Sequence, residues 1–86
     1  MMKDLITLRA EIDNLDGEIL ALLLKRFDAS IGVRTYKKEH EVAVLDSNRE
    51  AEILEYVANF TEDTMISMQL VEIYRAILAT SKEVQK

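Results

Sequence analysis

The sequence predicts an all-α protein, with three helices per chain that pair with a second copy into an intertwined helical homodimer. Three observations lead there. The 86 residues contain no proline and only two glycines, Gly17 and Gly32. No segment alternates apolar and polar residues for long, so nothing reads as a strand. And one apolar stripe, in steps of three and four, runs from Leu5 through Leu8, Ile12, Leu15, Ile19 and Leu22 to Arg26, Ala29, Val33 and Tyr36. That spacing marks one face of a single long helix.

The first helix is expected from Lys3 or Asp4 to Glu39, with the stripe continuing through both glycines although each costs roughly 1 kcal/mol relative to alanine. At ~36 residues and 1.5 Å per residue it would be about 54 Å long. A globule of this chain length has a radius of gyration of roughly 12 Å and a diameter of about 30 Å. Two shorter helices of the same chain cannot cover the whole stripe, and a second copy is the simplest cover. The connection "HEVAVLD" follows. The second helix starts in "DSNREAEIL", where Asp46 and Ser47 both fit an N-cap and Ser47 with Glu50 fits a capping box. Ile53, Leu54, Val57 and Phe60 would form its inner face. "TED" opens the third helix, with Thr61 as cap and Glu62 and Asp63 at the positive end of the dipole. Met65, Met68, Ile73, Ile77 and Leu78 would supply its core positions. Residues 1–86 are read as a single domain.

Composition removes several classes of function. There is no cysteine, so disulfides and thiolate metal sites are unavailable, and a single histidine, His40, stands at a helix end. No metal or cofactor is expected. Eleven basic residues against sixteen acidic ones give a net charge of −5, which argues against a nucleic-acid partner. No apolar run approaches the ~18 residues of a membrane span. The N-terminus "MMKDLITLRAEID" does not resemble a secretory signal. No membrane partner and a cytoplasmic location are expected.

Arg26 interrupts the apolar stripe, and a buried guanidinium needs an anion or hydrogen bonds. Lys37 lies eleven residues on, about 20° away around the helix and three turns along it. The two form a candidate anion clamp, although both side chains could instead run outward and merely cover apolar surface. Ser81 and Gln85, at i and i+4 near the end of the third helix, read as surface residues when taken alone. Arg49 and Glu50 fit a solvated first turn, and Arg9 a surface charge beside the seam. Together they offer cations, one acid and neutral hydrogen-bonding groups, without a catalytic histidine, a cysteine or a glycine-rich phosphate loop. Such a pocket suits a small dianion and chemistry that needs no nucleophile or cofactor.

These residues, in this order, resemble the all-helical (AroQ) class of chorismate mutase. The likeness covers nearly the whole chain: "LRAEIDNLDGEILALLLKR", then "YKKEHEVAVLDSNREAEIL" with its D-x-x-R-E, and "YRAILATSKEVQ" with its S-x-x-x-Q. It implies rearrangement of chorismate to prephenate in phenylalanine and tyrosine synthesis, with no cofactor. It implies that Arg26 grips a substrate carboxylate and that Arg9 reaches a carboxylate in the partner subunit's site. Lys37 would contact the ether oxygen and a carboxylate, and Gln85 would be the second donor to that oxygen. Arg49 would add positive potential, Glu50 with the backbone near Asp46 would bind the ring hydroxyl, and Ser81 would bind a carboxylate. Two features depart from the family pattern: Gly32 stands earlier than the usual glycine before the tyrosine–lysine pair, and Ala43 replaces the loop proline. The rivals are an isochorismate pyruvate-lyase of the same fold, which tends to lack the full D-x-x-R-E, and a non-catalytic helical dimerisation or regulatory module.

Overall fold

The computed structural model describes residues 3–41 and 47–86, and among these every regular element is helical. Helix α1 spans Leu5–Glu39, α2 Ser47–Ala58 and α3 Thr64–Gln85. At 35 residues α1 is unbroken through both glycines. A Cβ built on either Gly17 or Gly32 would meet nothing within 4 Å, so neither glycine serves a close approach within the chain. The departure at Ala43 lies outside the described residues.

The helix ends follow from local chemistry. The Asp4 carboxylate accepts from the Thr7 N–H at 2.8 Å and caps α1. The far end closes at His40, whose backbone N–H donates to the Tyr36 carbonyl and whose ring stacks on Tyr36 at 4.0 Å between centroids. Beyond it the chain turns through Glu41, at φ 55°. Ser47 is already helical, so it is not the cap expected of it with Glu50, and the alternative, Asp46, lies outside the described residues. The expected cap of α3 is displaced: Asp63, not Thr61, accepts from the Ile66 N–H at 3.1 Å. Thr61 stands two residues too early, and its hydroxyl accepts from the Asp63 N–H at 3.2 Å instead.

Helices α2 and α3 form an antiparallel hairpin. Ser67 donates to the Ala58 carbonyl at 2.7 Å near the turn, and Lys82 meets Glu50 at the open end. The same α3 crosses the C-terminal half of α1, where Arg34 donates to the Val84 carbonyl at 3.3 Å. Helix α3 is therefore the central element, packed against both others. The result is an elongated body of 57 × 26 × 14 Å with a radius of gyration of 16.4 Å, well above the roughly 12 Å of a globule this long.

Burial within one chain is correspondingly thin. Among the described residues, Val57 and Leu78 are the buried apolar ones, and Ser30 and Ser81 the buried polar ones. As expected of a stripe that two shorter helices cannot cover, the first half of α1 is open within the chain: Leu5, Leu8, Ile12, Leu15, Ile19 and Leu22 are all exposed, Leu8 least at 42%. The periodicity fixes which face is apolar, but α3 reaches only the other half of the helix. Phe60, Met65, Met68 and Ile73 are exposed too, because a two-helix hairpin covers only the facing stripe of each partner.

Candidate active site

Where the three helices converge they enclose a cleft of about 380 Å³. Helix α1 contributes Arg26, Ala29, Ser30, Val33 and Lys37, a run at i, i+3, i+4, i+7 and i+11 that forms one helical face. From α3 come Leu78, Ser81, Lys82 and Gln85, again on one face. The first turns of α2 add Arg49, Glu50 and Ile53. Ala29, Val33, Ile53 and Leu78 supply the apolar parts of the walls, and the other lining residues are polar or charged.

The polar groups occur in facing pairs. The Arg26 guanidinium donates through Nη1 to Ser81 Oγ. Ser81 is only 5% exposed and Arg26 is half-buried, so this cation is held at the cleft wall, not in solvent. A guanidinium carries five N–H donors, and one bond to a hydroxyl leaves the rest for a ligand. Lys37 Nζ donates to Gln85 Oε1 at 3.4 Å. That bond turns the amide oxygen of Gln85 to the lysine and leaves its NH₂ as a donor. On the α2 side, Lys82 Nζ lies 3.2 Å from Glu50 Oε1. Arg49 makes a long contact of 3.9 Å with Glu52, both largely exposed, and lines the cleft beside Glu50. Among the described residues no buried side-chain polar atom lacks a partner.

Six residues expected at the site from sequence thus line one cleft: Arg26, Lys37, Arg49, Glu50, Ser81 and Gln85. Arg9 is not among them. It stands seventeen residues before Arg26 on the same helix, about 26 Å away along the axis, beyond the reach of any side chain. Asp46 lies outside the described residues. Two polar lining residues had not been picked out. Ser30 sits one turn after Arg26 on the Arg26–Lys37 face, so its spacing could have found it. Lys82 shares the face of Leu78 and Gln85, but nothing in the sequence joins it to Glu50. A wider hollow of about 870 Å³ lies alongside, bounded by Arg34, Lys37, Lys38, Gln85 and Lys86 among others. Only α1 and the end of α3 line it, whereas groups from all three helices converge on the smaller cleft.

The arrangement can hold a small anion with several positive charges and offer donors to a polar atom between Lys37 and Gln85. Among the described residues no group of three or more histidine, aspartate or glutamate side chains could hold a metal ion, and no helix is long and apolar enough to cross a membrane.

The described residues thus form an all-helical chain with a cationic cleft of a size to hold a small anion. The family model for chorismate mutase type II matches residues 8–86, and the chain belongs to that family. It is accordingly an isomerase with chorismate mutase-type activity. A curated relative, the 4-amino-4-deoxychorismate mutase of Streptomyces venezuelae, is 30% identical over 76 residues, covering 87% of this chain and 74% of its own. No solved structure matches the chain at a significant level.

Proposed function

We propose that this protein converts chorismate to prephenate in phenylalanine and tyrosine synthesis, acting as a homodimer with two shared sites. The observation that carries the reading is the convergence of the Arg26–Ser81 and Lys37–Gln85 pairs on one cleft with a largely apolar wall. The reaction is a unimolecular [3,3] shift. The bond from the ring to the ether oxygen breaks as a carbon–carbon bond forms between the enolpyruvyl group and the ring. No proton or electron is exchanged with the protein, so no side chain of the cleft need act as a nucleophile.

Two physical effects are available. Arg26 and Ser81 at one end, with Arg9 of the partner subunit, hold the two carboxylates so that the enolpyruvyl group lies over the ring. That removes the conformational search from the barrier. Lys37 and Gln85 then stabilise the negative charge that grows on the ether oxygen, using donors fixed before the reaction starts. Arg49 strengthens the field, and Glu50 accepts the hydrogen bond of the ring substituent.

The dimer is supported by the open stripe on α1. Leu5, Ile6, Leu8, Ile12, Leu15, Ile19, Leu20 and Leu22 are exposed along one half of a helix whose other half carries the cleft. Contiguous apolar surface of this kind marks an interface. A second copy crossing there would cover the stripe and bring its Arg9 to this cleft.

The direct test is loss of chorismate absorbance with purified protein, followed by acid conversion of the product to phenylpyruvate. No turnover of chorismate, with pyruvate released from isochorismate instead, would replace this reading with the lyase.

A further inference from the structure

Among the described residues, Arg26, Lys37, Arg49 and Lys82 line the cleft, and Glu50 is the carboxylate that faces them. Glu50 is not at liberty: Lys82 Nζ lies 3.2 Å from its Oε1, with side chains 38% and 27% exposed respectively. This ion pair has no part in holding carboxylates or in the bond rearrangement. Its place in the cleft bears on the remaining polar substituent of the substrate ring.

We infer that the Lys82–Glu50 pair makes this cleft selective for a neutral hydroxyl over a charged amine at the 4-position of the ring. The inference rests on the mutase reading above. The family's substrates include both types, since the curated relative is named for 4-amino-4-deoxychorismate. A primary amine is protonated near neutral pH, as reference amines show. The hydroxy substrate thus enters as a dianion, and the amino substrate with one of its two negative charges offset.

The arginines and Lys37 take up the carboxylates, so among the described residues Glu50 is the anion that an ammonium on the ring would meet. A carboxylate offers roughly four lone-pair sites on two oxygens. A hydroxyl can donate one hydrogen bond to Oε2 and leave the Oε1–Lys82 pair intact. An ammonium would have to share a single negative charge with Lys82, at close like-charge separation, in a cleft that already carries three further cations. Burying a charge without full compensation is costly. Without Lys82, Glu50 becomes the uncompensated anion that an ammonium needs. Lys82 is therefore a positioning residue that sets ring-substituent specificity through Glu50.

The experiment measures kcat/KM for chorismate and for 4-amino-4-deoxychorismate with the full chain, in the native protein and in Lys82→Met, Lys82→Gln and Lys82→Arg. The native protein should prefer the hydroxy substrate. Both neutral variants should move the ratio toward the amino substrate by about tenfold or more, a modest figure because the pair is partly screened by solvent. Lys82→Arg should keep the native ratio. In a Glu50→Gln background the effect of Lys82→Met on the ratio should vanish, because the lysine acts through that carboxylate. A native preference for the amino substrate overturns the inference. So does a ratio changed by less than about twofold in the neutral variants, or a shift that survives in Glu50→Gln. Turnover of neither substrate by the native protein is a separate result: it removes the mutase reading and this inference with it.

Discussion

Replacing Arg26 by alanine separates a catalytic arginine from a structural one. In the folded chain Arg26 is half-buried and donates to Ser81, itself 5% exposed. The structural cost of Arg26→Ala is one side-chain hydrogen bond, worth about 1 kcal/mol net. Some lost packing of the arginine stem adds to it. The functional cost is larger. Removing one member of a desolvated charge pair costs roughly 2–5 kcal/mol. At 1.36 kcal/mol per factor of ten, that is a loss in kcat/KM of about 30-fold to several thousand-fold. Partial exposure of Arg26 places the expectation near the middle, at a few hundredfold. Arg26→Lys should fall between, since it keeps the charge and loses the planar fork. Ser81→Ala should cost less than either, because it removes one neutral donor.

The assay is the initial rate of chorismate disappearance, with far-ultraviolet circular dichroism and sedimentation on the same samples. The expected result is a helical protein of native association state with little turnover. A folded Arg26→Ala protein with kcat/KM within about threefold of native would refute the reasoning. It would mean that the cation lines the cleft without meeting the substrate.

Inactive Arg9→Ala and Lys37→Ala proteins, mixed under conditions of proven subunit exchange, should regain at most about a quarter of native activity, since half the dimers are mixed and each holds one intact site; no recovery would remove Arg9 from the partner's site. Gln85→Glu should work best in acid and lose rate as pH rises through the new carboxyl's pKa, because a carboxylate repels the developing oxyanion while a carboxyl still donates to it; a native pH–rate profile would withdraw Gln85 from the breaking bond. The Asp4 carboxyl is held below its ordinary 3.8 by the Thr7 backbone N–H and then by the Thr7 side chain. Its capping contribution is therefore complete above pH 3.8 and is lost as pH falls through the lowered value. Amide exchange at Thr7 should accelerate over that acid range in the native protein and not in Asp4→Asn; protection that stays constant into strong acid would refute the cap.

Much of the fold was legible because helix signals are local. The three- and four-residue steps from Leu5 to Tyr36 fix α1 almost to the residue, and the carboxylate of Asp4 starts it. The cap of α3 was misplaced within "TED", where both Thr61 and Asp63 have an acceptor. Only the residue directly before the first helical one can reach the N–H groups of the opening turn, and that is Asp63. The seam of α1 was legible as a face but not as a buried face, because periodicity says nothing about what covers it. The site divides along the same line. Arg26 and Lys37 were visible because cations in an apolar stripe violate the pattern, and their shared face follows from spacing alone. Ser81 and Gln85 gained meaning from the family order. Lys82 did not, because its partner Glu50 is 32 positions away on another helix and neither residue breaks a local rule.

The length of α1 links association to chemistry. Arg9 and Arg26 are fixed about 26 Å apart on one rigid helix. No motion short of breaking the helix could bring both to the same cleft. If both grip substrate, they must do so in different sites, and each chain then lends its N-terminal half to the other. The apolar residues that such a crossing would cover, Ile12, Leu15, Ile19 and Leu22, lie between the two arginines. In such a dimer the surface that drives pairing would also be the spacer that delivers Arg9. A polar substitution at Ile12 or Leu15 should weaken pairing without touching any cleft residue. Its loss of activity should then be recovered by raising the protein concentration, whereas the loss in Arg9→Ala should not.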